Sequence, residues 1–312
     1  MKTKRKKKTA AEACTNPCTH RKYRLLSPKV QESYYSRIAE RYLAFCTDAG
    51  DRDELQKQFS RLAISSQTEN QTTKAPVAVQ SALYMLPTTK ISTTTTTTTP
   101  PHLGGALPEK KNRQQAADLG QILSALRKLR EGIVASKRRD DFAIQVYLFA
   151  IRLGVLTAAH ETYHPALLYL LRVLHPAHSL TSVELAEVVG YLVLDAACRR
   201  ADLAEAYALR NRYRLRDAKI DGALRALVTD DWVLWNRVRR SVDAHRASLM
   251  ATAEPQLRDH LLKAFGRSYL SVGLDFLEAQ TLCSWPELRD QYGVGWELNG
   301  DRVVIRKIQG RS

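Results

Sequence analysis

The segment His160–Glu161–Thr162–Tyr163–His164 has the residue types and spacing of a zinc-peptidase motif, H-E-x-x-H. On a helix, residues four apart share a face, so both imidazoles could hold one zinc while the glutamate acted as general base. Pro165 follows directly, and the residue before a proline is disfavoured in the helical region, so His164 is expected at a break. The third ligand would have to be Glu184 or Glu187, both expected on the outward stripe of a later helix. No strand precedes the motif to offer a substrate edge. The segment reads as a helix-end loop, and no catalytic residue, metal or cofactor is expected.

Cys14, Cys18 and His20 are three more potential ligands within seven residues. No second ligand pair follows at finger spacing, so a tetrahedral site does not close. The five cysteines are an odd number spread along the chain, which fits free thiols in a reducing compartment. Glycine-rich phosphate loops and nucleophile elbows are absent.

Positive charge is the remaining chemical feature. The formal net charge is +16 and the pI about 9.7, pointing to an acidic partner. Residues 1–111 contribute +10 and residues 112–312 contribute +6. Lys4, Arg5, Lys6, Lys7 and Lys8 form a self-repelling, solvated tail, read as a solubilising end, a nuclear-import signal or a phosphate-binding arm. A second cluster includes Arg210, Arg212, Arg214 and Arg216, with acidic neighbours such as Asp202, Glu205 and Asp217. It reads as a solvated face, and alternatively as a patch for RNA or an acidic protein.

Five regions follow from composition. A basic disordered tail (1–29) precedes a short helical segment (30–64), in which Tyr34, Ile38, Tyr42 and Phe45 share a stripe and a further helix could run over Asp53–Ile64. A linker (65–111) holds the run Thr93–Thr99 before Pro100–Pro101. A helical stack (112–252) and a C-terminal module (253–312) complete the chain. In the stack, helices are expected over Ala116–Ser136, Asp140–Ala159, from Pro165, Thr181 to about Arg199, Asp202–Tyr213, Lys219–Val228 and Asp231–Met250. Thr181 and Glu184 form a capping box, with Leu180 and Leu185 at staple spacing. The fourth of these helices should carry one polar stripe, Glu184, Glu187 and Asp195. The apolar run Phe142–Ala159 contains Arg152, which costs about 2.5–3.5 kcal/mol at mid-bilayer, so it reads as a buried core helix and no membrane association is expected.

After a helix at Pro255–Gly266, Ser268–Val272 reads as a short strand and Leu274–Gln280 as a helix. Ser284 and Glu287 begin another capped helix that Gly293 stops. Trp296–Leu298 and Arg302–Ile308 then alternate around Asn299–Gly300, a hairpin signal in which both turn residues are expected at positive φ.

Helix, strand, helix, helix, hairpin is the order of a winged helix. The segment LKAFGRSYLSV–GLDFLEAQTLCSWPELRDQYGVGWELNGDRVVIR (Leu262–Arg306) resembles the ending of PCI-domain proteins. It is most similar to their small members in the proteasome lid, the signalosome and translation initiation factor three (its k subunit). The matching features are an aromatic-ended first helix, a short strand, a helix containing Leu277–Glu278, one ending Tyr292–Gly293, and Gly295–Trp296 opening the hairpin. The resemblance implies an all-α helical-repeat-like stack closed by a winged helix, with no catalytic residues. Its implied role is assembly with other protein subunits in the nucleus or cytoplasm. Ser284–Tyr292 has a net charge of −1, poor for reading a DNA groove, so Trp285, Leu288 and Trp296 are the expected partner surface. The alternative is a nucleic-acid-binding adaptor using the tail and the arginine patch.

Overall fold

The structure, a computed structural model, describes residues 24–48 and 107–306. The basic tail, Cys14, Cys18, His20, the expected helix over Asp53–Ile64, the threonine run, and Lys307 and Ile308 of the expected hairpin lie outside them. The described residues are predominantly helical, with one small antiparallel sheet near the C-terminus.

A 3-10 turn, Arg24–Leu26, leads into α1, Pro28–Asp48. This helix belongs to the main body: Ile38 and Phe45 are buried in the large core, and Tyr35 and Tyr42 pack edge-to-face on Phe149. Gln31 is fully buried, donating to the Leu25 carbonyl and to Ser136. Arg138 donates to Glu32 and covers the Phe142 ring.

Helix α2 is Leu107–Ala135, so it begins nine residues before the expected Ala116 and takes in the end of what reads as linker. Helix α3, Asp141–Leu156, starts on the Asp140 cap and is buried on most sides, as an apolar helix with neighbours all round must be. Arg152 projects from it to Glu187 through two hydrogen bonds of 2.8 and 2.7 Å. No helix among the described residues is long and apolar enough to cross a membrane.

Helix α4, His160–Tyr169, corrects the expected start at Pro165. Proline lacks only the N–H that would close a bond to Glu161, within the first turns, where few intrahelical bonds have formed. The helix continues through a π turn, Leu170–Leu174, to Ala177. Helix α5, Ser182–Leu194, carries the Thr181–Glu184 capping box and runs into a second π turn, Asp195–Arg199. Helices α6 (Leu203–Arg212) and α7 (Ala218–Thr229) follow.

The single helix expected over Asp231–Met250 is two, α8 (Trp232–Ser241) and α9 (Ala244–Ala251). Val242 is extended, and the Asp243 carboxylate caps α9 by accepting from the Arg246 N–H. Helix α10, Glu254–Ser268, leads out of this body.

The C-terminal module has its own small core of Leu262, Phe265, Val272, Leu277, Cys283, Leu288 and Val303. Its elements are β1 (Ser271–Gly273), α11 (Leu274–Thr281), α12 (Trp285–Asp290), β2 (Glu297–Asn299) and β3 (Arg302–Val304). The strands lie in the order β1–β3–β2, with Val303 facing Val272 on one side and Leu298 on the other. The hairpin turn is Gly300–Asp301, not Asn299–Gly300. Asn299 pairs with Arg302, and of the turn residues only Gly300 has positive φ, 65°. That sign pattern is of type II′, which asks for glycine at its first central position alone.

Candidate functional site

Three groups of side chains are candidates: the HETYH segment, the arginine cluster and the C-terminal module. In the first, His160 and His164 do share a helix, but His164 is committed elsewhere. Its Nδ1 lies 3.0 Å from Oδ2 of Asp195, and Tyr163 Oη donates to Oδ1 at 2.6 Å. Arg199 adds two hydrogen bonds, at 2.6 and 2.9 Å. Asp195 was expected on an outward stripe, yet it is fully buried, because the second half of α5 has neighbours on every side. Burial pushes its carboxyl up, but the hydrogen bonds from Arg199 and Tyr163 outweigh this and hold it below the usual carboxylate range. Among the described residues no three His, Cys, Asp or Glu side chains converge as metal ligands. Glu184 is used in its capping box and Glu187 by Arg152 and Tyr191. Chemically this is a neutralised, hydrogen-bonded anchor that ties α4 to the end of α5.

The arginine cluster divides by use. Arg210 forms a two-toothed ion pair with Asp221, and Arg200 pairs with Glu205. Arg212 stacks at 5.7 Å on the Tyr213 ring, while Arg214 and Arg216 are exposed and form no ion pair among the described residues. The loop is fixed from inside. Leu215 is buried, its N–H donates to the Arg210 carbonyl, and Arg214 sits in the left-handed region at φ 50°.

The module places the three residues expected at an interface largely in its own interior. Leu288 is fully buried, and Trp285 and Trp296 are half-buried against the small core. The exposed large apolar groups are instead Tyr269, Leu270, Phe276 and Leu298, each between 42% and 48% exposed. Tyr269 stacks on Phe265 at 5.2 Å, and Phe276 meets the same ring edge-on at 6.2 Å, so the two flank one buried aromatic. Leu298 sits on the outer strand β2, beside Val303. Sequence reasoning favours tryptophans by size and so misses these. The strand expected over Ser268–Val272 is Ser271–Gly273, and the preceding helix runs to Ser268, which leaves Tyr269–Leu270 between the two elements and partly exposed.

The module is joined to the main body by buried charge. Arg239, Glu254 and Arg258 lie together, with Glu254 and Arg258 each 2% exposed. Arg258 donates to the Thr281 carbonyl at 2.9 Å and lies 5.4 Å from the ring centres of both Trp232 and Tyr292. Trp232 Nε1 donates to the Gln280 carbonyl. Removing one partner from such a cluster strands the rest in a low-dielectric setting.

No family model matches this chain, and no curated protein matches it in sequence.

Proposed function

We propose that the chain is a non-catalytic scaffold subunit of PCI type, whose helical stack and C-terminal winged helix hold partner proteins in a multisubunit assembly of the nucleus or cytoplasm. The carrying observation is the module's strand order, β1–β3–β2, with exposed apolar residues at its margins. A winged helix has this arrangement: its first strand pairs with the far strand of the C-terminal hairpin. Both outer strands keep backbone groups on their free sides, and strand edges of this kind pair readily with another chain. Tyr269, Leu270, Phe276 and Leu298 would supply the apolar contact, and the buried Arg239–Glu254–Arg258 junction would hold that surface in a fixed relation to the stack.

The chemistry of the other groups agrees. The buried carboxylate network around Asp195 is saturated by its own neighbours and offers no reactive atom toward a substrate. The test is isolation of the tagged chain from its native cells, with co-purifying proteins identified by mass spectrometry and their stoichiometry measured. A scaffold returns a fixed set of subunits at equimolar amounts. Recovery of the chain as a monomer, with no stoichiometric partner, refutes the reading.

A further inference from the structure

Helix α1 meets the main body as a ligand meets a groove. Gln31, Ile38 and Phe45 are buried, one at every seventh position, and Tyr35 and Tyr42 lie on the same stripe. Glu32, Arg37, Glu40, Leu43 and Thr47 on its other sides are exposed. Helix α3, by contrast, is buried on most sides. A single face read at i, i+4 and i+7 is how an amphipathic peptide helix docks in a groove.

The face that receives it is complementary in more than apolar surface. Phe142 and Phe149 of α3 take Tyr35 and Tyr42 edge-on, with ring centres between 5.2 and 6.0 Å apart. The turn between α2 and α3 clasps the Gln31 amide: Nε2 donates to Ser136 Oγ at 3.0 Å, and Oε1 accepts from Arg138 Nη1 at 3.3 Å. Arg138 also donates to the Pro28 carbonyl and to Glu32. At Gly132 a Cβ would stand 2.9 Å from the Cβ and the carbonyl oxygen of Leu25, so the turn leading into α1 approaches this closely only over a glycine.

These contacts also fix direction. Gln31 lies against Ser136, and Arg41 donates to Gln121 at 2.7 Å, so α1 and α2 are antiparallel and Asp48 falls beside the first half of α2. Helices so placed are commonly joined by about 2–8 residues. Here residues 49–106 lie between them, several times what the geometry needs. The face therefore does not depend on a short connection for its occupant, and its contacts are the same whichever copy of the chain supplies the helix.

We propose that the α2–α3 face is a helix-binding site whose ligand is α1, and that two copies of the chain exchange this helix. A second copy is the partner because it carries the sequence that satisfies the amide clasp, the two phenylalanines and the glycine together. Exchange loses no contact, since each copy gives and receives one helix. The covalent connection favours the chain's own α1 only through its effective concentration, and copies held side by side offset that preference. This inference is independent of the scaffold reading, which rests on the C-terminal module.

The experiment uses the whole chain with a protease site in place of Thr93–Thr99. Two preparations, each tagged differently at both ends, are cut, mixed at micromolar concentration and recovered by the C-terminal tag of one. Each cut protein alone should keep its N-terminal piece through gel filtration. After mixing, the recovered N-terminal pieces should approach equal shares of the two tags. Uncut chains, concentrated to the millimolar range and then diluted, should leave a dimer fraction that Ile38→Asp abolishes. Cut Ile38→Asp protein should lose its N-terminal piece while the rest of the chain keeps its melting transition, and Gly132→Ala should weaken uptake from either copy. The mixing result uses the wild-type interface and is read even if a variant fails to fold. Recovery of only the original N-terminal pieces, absence of dimer at every concentration, or loss of all helical structure once α1 is released overturns the proposal. Release of α1 with no uptake of the other copy's helix overturns it too and leaves the face to a foreign helix.

Discussion

Asp195 is where a single residue matters most. It accepts from Tyr163 and Arg199, sits beside His164 and is fully buried, so replacing it leaves a guanidinium without its counter-charge. Asp195→Asn should cost about 3–5 kcal/mol of stability, the range for breaking a buried pair by removing one partner. Its folded-state carboxyl lies below the ordinary range, so ionised Asp195 stabilises the protein at pH values above its unfolded pKa. That contribution is lost as pH falls through the folded-state value. Denaturant unfolding of wild type and variant at neutral and acid pH should show a gap that is full at pH 7 and shrinks below pH of about 4. A gap independent of pH would mean that the charge is not what matters. The sequence places Asp195 on an outward polar stripe with Glu184 and Glu187; only its pairing with the arginines four and five residues on, in the run VVGYLVLDAACRR, was open to reading. The share taken by Tyr163 and His164 was not, because they come from α4 and only tertiary packing brings them there.

At the scale of elements, caps and apolar periodicity were legible and interruptions were not. Thr181–Glu184 caps α5 as its sequence dictates, and Leu180 is buried at the staple position. Pro165 was misread because the local rule against helix before proline gives way when the proline is near a helix start and the following residues, Ala166 and Leu167, bury fully. The break between α8 and α9 escaped notice because Val242 and Leu249 keep the apolar spacing across it. Asp243 is the overlooked signal, a capping residue directly before Ala-His-Arg. The hairpin was legible in place and shifted by one residue in its turn, which changes what a substitution does. Gly300, at φ 65°, is the residue that needs freedom, and no atom crowds its Cβ position. Gly300→Val should therefore destabilise the module by about 1–2 kcal/mol through backbone strain alone. Asn299→Val, in the extended strand β2, should be close to neutral. Thermal melts of the two variants check this, and equal losses would restore a turn centred on both residues.

For the whole molecule, the question is which surface holds partners. Trp285 and Trp296 pack on the small core, so truncating either should lower the melting temperature of the protein, and any loss of partners would follow from unfolding. Leu270 and Phe276 are half-exposed, and their replacement by Ser removes apolar surface from solvent at little cost to the fold. If the module's margin is the docking surface, Leu270→Ser/Phe276→Ser should abolish co-purification of protein partners while the melting temperature stays within a few degrees of wild type. Trp296→Ala should lower both together. Deletion of Met1–Lys8 should leave the partners in place, since a run of like charge acts through long-range attraction that salt screens. Loss of protein partners on deleting the tail, with the Leu270/Phe276 variant fully associated, would defeat the scaffold assignment and leave the charged surfaces as what the chain uses.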